Sequence, residues 1–398
     1  MKRAIAILLA VIMALALFAC KEKESSVTSA PPPPPQGTSD QSNSAAPPPA
    51  AGGGSVGFLT DNVDHFARDP FKIGYICISM GSPFIKAIVD SLEAFGGVLN
   101  YDFYAYDADH DYEAYMNQMS TFADQGYDGV VLGTDDAMTM RAYELAKDYN
   151  LGFIAESTAF LDAAGKCIWP SVAQDQYGNG ETCMNWLVEN YSNYWSGAVD
   201  PAKVGLIVLT FSPVAGIDDR RPGVYDAYVK AFPQSADNYY IGDLVTTPSG
   251  FSVAGGDELV SGIIPANPQV ENWFIVGLVD DWALGATRAV ERLGKGDCTL
   301  IVSVQADSFI ADLESGGTGD IYVAACAISS AEFAGYMAAG LVAMLDGRAT
   351  PEALWPQWQQ SSGEYAYIRL QGDMITKDTY RQWMSSTDLD AMLASVPG

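Results

Sequence analysis

The chain has 398 residues with 49 acidic and 21 basic side chains, and its formal net charge is −28. So acidic a chain repels phosphate backbones and anionic lipid headgroups, which excludes nucleic acid as a partner and electrostatic attachment to a membrane. The body from residue 63 onward exceeds the about 250–300 residues that usually pack around a single hydrophobic core, so two domains are expected.

The amino terminus is predicted to be an export signal. Lys2 and Arg3 form a positive region, and an unbroken apolar run follows over residues 4–18. This run is shorter than the about 20 residues that span a bilayer, so it is typical of a signal peptide. It ends in Leu-Phe-Ala-Cys at 17–20, which resembles a bacterial lipoprotein box. The resemblance implies a signal peptide over 1–19 and acylation of Cys20; the alternative is an ordinary secretory signal with an incidental cysteine.

Residues 20–62 are predicted to be a disordered tether between the lipid and the body. Proline runs at 31–35 and 47–49, glycines at 52–54 and many Ser and Ala residues offer little apolar surface to bury. No later apolar run reaches the length that spans a bilayer, so the body is predicted to be soluble.

The first half of the body alternates strands and helices. Residues 72–79 form an apolar strand, and a Gly-Ser-Pro turn leads into a helix with the apolar stripe Phe84, Ile88, Leu92 and Phe95. Further strands are predicted at 102–106, 128–134, 151–155 and 168–173, and further helices at 112–122, 138–149 and 177–191. Strict alternation of this kind is typical of a parallel sheet with right-handed crossovers.

A second alternating series begins at residue 204. Strands are predicted at 204–210, 239–245, 273–279, 300–304 and 321–327, and helices at 221–232, 253–264, 282–293 and 309–313. A long helix at 333–345, a loop at 349–363, a closing strand at 365–370 and a terminal helix at 378–394 complete the chain. The sequence therefore predicts an α/β fold with two doubly wound parallel sheets of five or six strands each.

Five cysteines follow Cys20, an odd number whose spacing matches no metal motif. Cys77 and Cys326 lie in apolar strands and are predicted to pack as small hydrophobic residues. Cys167 and Cys183 could pair in an oxidising exterior, and this pairing stays open.

Three aspartates and a histidine between residues 107 and 111 raise the question of a metal site. They directly precede a predicted helix, where carboxylates satisfy free N–H groups, so capping is favoured over metal binding. No nucleophile elbow, phosphate loop or zinc motif occurs, and His65 and His110 are the only histidines. The sequence therefore predicts no metal, no cofactor and no catalytic residue.

Four motifs together resemble the type I periplasmic sugar-binding proteins, the ribose- and galactose-binding group of ABC transporter substrate-binding proteins. They are Ser-Met-Gly-Ser-Pro-Phe-Ile at 79–85, Gln-Gly-Tyr-Asp-Gly-Val-Val-Leu at 125–132, Asp-Asp-Trp-Ala-Leu-Gly-Ala at 280–286 and Ile-Thr-Lys-Asp at 375–378. The resemblance covers residues 71 to about 380. It implies two lobes joined by a three-stranded hinge that close on a sugar. The implied lobes are residues 71–174 with 329–363, and 175–328 with 364–398.

The resemblance also implies ligand residues. Phe84 matches an aromatic residue that stacks on one sugar face, Phe251 matches the aromatic residue of the other lobe, and Arg220 matches an arginine that binds ring or hydroxyl oxygens. Rings suit the apolar C–H faces of a sugar, and a guanidinium carries five donors in one plane. Without the resemblance, packing at a helix start would explain both rings, and a solvated charge would explain the arginine.

Several polar positions of the implied site depart from the family pattern. Asparagine is usual at 82 and 279, an acid or amide followed by a base at 157 and 158, and aspartate at 305. This chain has instead Ser82, Val279, Ser157, Thr158 and Gln305. Because the usual side chains fix individual hydroxyls by charge-assisted hydrogen bonds, a ligand other than ribose or galactose is expected.

Asp280 opens the third motif and is assigned to the implied site. Trp282, with Trp169 and Phe211, lies near the predicted mouth and adds aromatic surface there; the alternative is that these three rings belong to the core or the rim.

Three functions remain open at this point. The first is a lipid-anchored substrate-binding protein of an ABC importer, which captures a sugar or sugar-like polar solute and presents it to a membrane permease. The second is a sensor of the same fold that acts on a chemoreceptor or kinase. The third is a glycosidase, against which the missing catalytic motif counts. We expect a monomer held by its lipid at the outer face of the cell membrane or in the periplasm.

Overall fold

The computed structural model describes residues 59, 61–135, 137–359 and 363–397. The predicted signal peptide, the lipidation site Cys20 and nearly all of the predicted tether lie outside the described residues. All of the described residues fall within one compact unit, Pro47–Gly398.

Five parallel strands form most of the first sheet: β1 (Phe71–Cys77), β2 (Tyr101–Asp107), β3 (Gly129–Gly133), β4 (Gly152–Glu156) and β5 (Ser171–Gln174). Their spatial order is β5-β4-β3-β1-β2. The connecting helices are α1 (Pro83–Leu99), α2 (Tyr112–Asp124) and α3 (Thr139–Asp148). The predicted apolar stripe of α1 is confirmed, since Phe84, Ile88, Leu92 and Phe95 are all buried.

The second sheet repeats this pattern. Its parallel strands are β6 (Val204–Thr210), β7 (Tyr239–Asp243), β8 (Asn272–Gly277), β9 (Thr299–Val304) and β10 (Tyr322–Ala327), in the order β10-β9-β8-β6-β7. Its helices are α4 (Gln176–Asn190), α5 (Ala215–Asp218), α6 (Arg221–Ala231), α7 (Val253–Ala266), α8 (Asp280–Leu293) and α9 (Asp307–Glu314). Every residue of β6, β9 and β10 is buried, as expected for strands covered by helices on both faces.

The chain passes between the sheets three times. β5 leads into α4, which packs on the second sheet, and β10 leads into α10 (Ser330–Leu345), which packs on the first sheet. The third crossing joins β11 (Tyr367–Leu370), parallel to β5 at one edge of the first sheet, to β12 (Asp373–Thr376), antiparallel to β10 at one edge of the second. Each sheet thus has six strands, and the three crossings form the hinge that joins the two lobes.

The carboxyl-terminal region differs from the sequence prediction in three details. The expected lobe boundary after residue 363 is wrong for β11, because this strand pairs with β5 in the first sheet. The strand β12 was not predicted. The single terminal helix expected over 378–394 is two helices, α11 (Tyr380–Ser386) and α12 (Leu389–Ala394). Asp388 separates them, because its side chain accepts a hydrogen bond from the backbone N–H of Ala391 and so begins a new helix.

The backbones of α7 and α8 approach each other closely. A Cβ atom on Gly285 of α8 would lie 2.0 Å from the carbonyl oxygen of Val253, and one on Gly256 of α7 would lie 2.5 Å from the carbonyl oxygen of Trp282. Only glycine fits at such distances. This contact fixes the first turn of α8, which carries Asp280 and Trp282.

Gly285→Ala is expected to lower the free energy of unfolding by about 1–3 kcal/mol, because the added methyl group forces the two helices apart. Gly262→Ala in α7 is the matched control, since nothing lies within 4 Å of its added Cβ. This control is expected to raise the free energy of unfolding by about 0.5–1 kcal/mol through helix propensity. Urea denaturation measures both, and a stabilising Gly285→Ala would contradict the close approach.

Candidate functional site

The predicted ligand residues follow the carboxyl ends of strands in both sheets. Ser82 and Phe84 follow β1, and Ser157 and Thr158 follow β4. In the second lobe the predicted residues follow β6, β7, β8 and β9; they are Arg220, Phe251, Asp280, Trp282 and Gln305. Ligands of open parallel sheets bind at this edge, so the topology brings the predicted residues to the side of each lobe where a site is expected.

Two of the three polar candidates of the first lobe, Ser157 and Thr158, already donate their hydroxyl protons within the protein. Ser157 has a left-handed backbone (φ 63°) and donates its hydroxyl to the carboxylate of Glu156. The Thr158 hydroxyl donates to the carbonyl oxygen of Thr134 at 2.7 Å. Each hydroxyl therefore offers a ligand its lone pairs rather than its proton. Ser82 is exposed and is the residue before α1, but its side chain does not cap that helix.

The two rings that the resemblance pairs have different surroundings. Phe84 is only 6% exposed and meets the ring of Phe333 edge-on at 5.9 Å. Phe251 is 50% exposed and meets Phe211 edge-on at 5.3 Å and Trp282 at 4.9 Å. Trp282 is fully buried, and within the described residues its indole N–H has no hydrogen-bond partner. Phe251 is therefore the most exposed ring of this aromatic cluster; its stacking role stays a prediction.

Arg220 is buried and forms hydrogen bonds with residues of the first crossing. Its Nε donates to Oε1 of Gln176 at 2.7 Å, and its Nη2 donates to Oε1 of Gln174 at 2.9 Å. Its Nη1 donates to the carbonyl oxygen of Leu278, directly after β8. Burial lowers the pKa of Arg220 to about 10, although nearby groups including Asp280 oppose that shift. The guanidinium joins the first crossing to the second lobe, and each Nη atom has a second N–H that a ligand could bind.

Asp280 and Gln305 lie on neighbouring strand ends of the second lobe. Oδ2 of Asp280 accepts a hydrogen bond from the backbone N–H of Ser308 at 2.6 Å, and burial raises the pKa of Asp280 to about 7. Gln305 has a left-handed backbone (φ 71°), and its N–H donates to the carbonyl oxygen of Cys326 at 3.0 Å. A protonated Asp280 donates a hydrogen bond, whereas the ionised form only accepts.

Glu156, the last residue of β4, lies beside the predicted site and was not predicted from the sequence. Its carboxyl group is 2% exposed, accepts a hydrogen bond from Ser157 and lies 3.4 Å from the Tyr75 hydroxyl. A Cβ on Gly133 would lie 2.6 Å from its Oε2, so the missing side chain of Gly133 makes room for the carboxyl group. Burial raises the pKa of Glu156 to about 7. The available signal was an acidic residue at the end of an otherwise apolar strand.

A cavity of about 290 Å³ lies where the two lobes meet the second crossing. It is lined by Phe84, Ala87, Asp307, Ile310, Ile328, Ser329, Ser330, Trp383, Met384 and Thr387. Phe84 is the only predicted ligand residue among them. A second depression of about 400 Å³ lies at the opposite, amino-terminal end of β2, away from the predicted ligand residues.

The acidic group before α2 forms local hydrogen bonds. Asp111 caps α2 by accepting from the backbone N–H of Ala114 at 2.9 Å, which confirms capping for this residue. Asp107 accepts from the backbone N–H groups of Met80 and Asp109. Within the part of the chain that is described, no group of three or more His, Cys, Asp or Glu side chains is placed to hold a metal ion.

The cysteines and the helix lengths bear on two further sequence predictions. Cys77, Cys183, Cys298 and Cys326 are free thiols, so the possible pair of Cys167 with Cys183 is not formed. Among the described residues, no helix has the length and apolarity that crossing a membrane requires.

Comparison with known proteins extends the fold assignment. No protein-family model matches the chain, and no curated protein matches its sequence. Solved structures do match. The arabinose-binding component of an ABC transporter from Shewanella sp. ANA-3 is 18% identical, with 80% of this chain and 96% of that chain covered and a TM-score of 0.59.

Two further structures match to the same degree. A periplasmic ribose ABC transporter protein from Conexibacter woesei is 15% identical, with 80% and 95% of the two chains covered and a TM-score of 0.61. A 5-methylthioribose transporter solute-binding protein from Thermotoga lettingae is 16% identical, with 82% and 94% covered and a TM-score of 0.57. The chain therefore has the fold of the type I periplasmic binding proteins, as its sequence motifs predict. The matching structures named here are binding proteins rather than enzymes.

Proposed function

We propose that this protein is the substrate-binding component of an ABC importer, anchored to the outer face of a membrane through Cys20, and that it captures a sugar or sugar-like polar solute between its lobes. The observation that carries the proposal is the pair of six-stranded sheets joined by three crossings, with polar and aromatic side chains at the strand ends of both lobes. Matching structures hold L-arabinofuranose, myo-inositol and 5-methylthioribose, which supports a small hydroxylated ligand.

Binding in such a cleft shifts the equilibrium from an open to a closed form. The closed form is the one that a permease would recognise. A solute that binds only the folded state stabilises it by mass action, by about 2.7 kcal/mol at a hundred times the dissociation constant. Thermal denaturation of the chain from residue 20, with Cys20→Ser to prevent acylation, therefore detects the ligand among pentoses, hexoses, polyols, nucleosides and amino acids. Stabilisation by amino acids alone, or turnover of a sugar conjugate, would contradict the proposal.

Phe251→Ala is expected to weaken binding of the solute found in this way by about 1–3 kcal/mol, because Phe251 is the exposed ring of the second-lobe cluster. Isothermal titration measures the dissociation constant. Phe66→Ala is the matched control, since Phe66 is 61% exposed and lies before β1, away from the strand ends. An unchanged dissociation constant for Phe251→Ala would remove this ring from the site.

A further inference from the structure

The two carboxyl-terminal helices connect the lobes outside the three crossings. α11 is fastened to the second lobe, because the Tyr380 hydroxyl donates to Oε1 of Glu314 in α9 at 2.6 Å and Arg381 pairs with the same carboxylate at 3.3 Å. α12 packs against α1 of the first lobe. Its apolar residues Leu389, Met392 and Leu393 are half-buried against the hydrophobic core. The segment therefore forms a side wall that spans the space between the lobes.

This wall lines the cavity described above. Trp383, Met384 and Thr387 of the carboxyl-terminal segment share it with Phe84 and Ala87 of the first lobe. Asp307 and Ile310 of α9 supply the second-lobe side, and residues 328–330 of the second crossing complete it. The cavity touches both lobes and the hinge. Its volume of about 290 Å³ is near the small end of the roughly 300–1,000 Å³ usual for ligand pockets, so it suits a single small solute.

The cavity lining has a polar part and an apolar part. Hydroxyl groups come from Ser329, Ser330 and Thr387, and a carboxyl group comes from Asp307. The Ser329 oxygen already accepts the backbone N–H of Glu332 at 3.0 Å, which leaves its proton to donate to a ligand. The rest of the lining is apolar, with the rings of Phe84 and Trp383 and the thioether of Met384. Such a site binds hydroxyls on one side and an apolar group on the other.

We infer that α11 is a specificity wall, and that its Trp383 and Met384 select a monosaccharide that carries an apolar substituent. The inference rests on the proposed function and names the substrate class from the part of the cleft that this cavity forms, to which Phe84 is the predicted ligand residue that contributes. A methylthio group in place of a hydroxyl suits the indole and thioether contacts, since sulfur packs well against aromatic rings and flexible methionine. Ordinary sugars would leave this apolar wall facing a hydroxyl group.

The probes are 5-methylthioribose and D-ribose, whose furanose forms share one ring and differ at the fifth carbon. Isothermal titration of the chain from residue 20 with Cys20→Ser is expected to show about tenfold tighter binding of 5-methylthioribose. Met384→Ala and Trp383→Ala are expected to reduce that ratio severalfold, because each truncation removes apolar contacts that the methylthio group makes and the hydroxyl group of D-ribose does not. Gln382→Ala, an exposed position on the same helix, is the matched control and should keep the wild-type ratio.

Testing both variants distinguishes a lost contact with the ligand from an unfolded α11. Trp383 is half-buried, so its replacement could unfold α11, but Met384 is 45% exposed and its truncation leaves the helix contacts intact. D-ribose binding as tight as 5-methylthioribose binding, or a ratio that neither variant changes, would overturn the inference and leave the proposed function standing. Failure of both probes to bind while another sugar binds would also overturn the inference alone. Failure of both probes and of every other sugar would overturn the proposed function, and the inference with it.

Discussion

Between pH 5 and pH 8 the free energy of unfolding is expected to fall by about 2–3 kcal/mol on account of Glu156 alone. Burial raises the pKa of this carboxyl group from 4.5 to about 7 in the folded protein. The folded state therefore holds a proton that the unfolded chain releases. The stabilisation is complete below pH 4.5 and is lost as the pH rises through 7.

The surroundings of Glu156 explain the direction of this shift. Desolvation is the largest cause, and the hydrogen bonds from Ser157 and Tyr75 oppose it only in part. Within the described residues no cation is paired with this carboxylate in an ion pair of 4.0 Å or less, so ionisation leaves a buried charge that two hydroxyls solvate poorly. The same charge acts on Cys77, whose pKa is raised to about 12 by burial first and by Glu156 next.

Glu156→Gln tests the assignment, because glutamine has the shape of the protonated acid and does not titrate. The variant is expected to match the wild type at pH 5 and to exceed its stability by about 2–3 kcal/mol at pH 8. Urea denaturation at constant ionic strength measures both. Glu93→Gln, an exposed position on α1, is the control and should follow the wild-type curve. Parallel curves for Glu156→Gln and wild type would show that Glu156 is ionised throughout.

The sequence predicted the architecture well because apolar strands of four to seven residues alternate with amphipathic helices almost without interruption. β6 illustrates this, since Val204–Thr210 was predicted with the observed bounds and all seven of its residues are buried. β12 was missed because Asp373–Thr376 is a four-residue edge strand with only one buried residue. Its pairing with β10 depends on the whole chain, and a short segment with so few apolar residues gives no local signal.

The sequence could predict the candidate site only by identifying residues that follow the carboxyl ends of predicted strands. Phe84, Arg220 and Asp280 follow β1, β6 and β8 in the chain, and the parallel order of these strands alone predicts the sheet edge at which such residues lie. Sequence spacing could not show that Arg220 donates to Gln174, Gln176 and Leu278, or that Trp383 and Phe84 line one cavity, because these residues are distant in the chain. An acid at the end of an apolar strand is a weak signal for Glu156, and the space that Gly133 leaves for its carboxyl group is visible only in the folded chain.

Arg220→Met is expected to lower the free energy of unfolding by about 3–5 kcal/mol, because the side-chain oxygens of Gln174 and Gln176 and the carbonyl oxygen of Leu278 lose their donors in a buried place. Arg220 is 3% exposed, so water does not readily replace the guanidinium. Arg220→Lys keeps the charge, but a single ammonium group does not reproduce the planar fork, so an intermediate loss is expected.

The adjacent Arg221 is the matched control. It pairs with Asp218 at 2.7 Å, and both side chains are partly exposed, at 31% and 23%. Arg221→Met is therefore expected to cost about 1 kcal/mol or less.

Denaturation separates the two arginines by the size of the loss, and titration with the cognate solute separates two roles of Arg220. A residue that only supports the hinge changes stability in Arg220→Lys and leaves the dissociation constant nearly as it was. One that binds the solute through its remaining N–H groups also raises that constant at least tenfold, since a charge-assisted hydrogen bond contributes about 1.5–3 kcal/mol. Full stability in Arg220→Met would contradict the hinge contacts themselves.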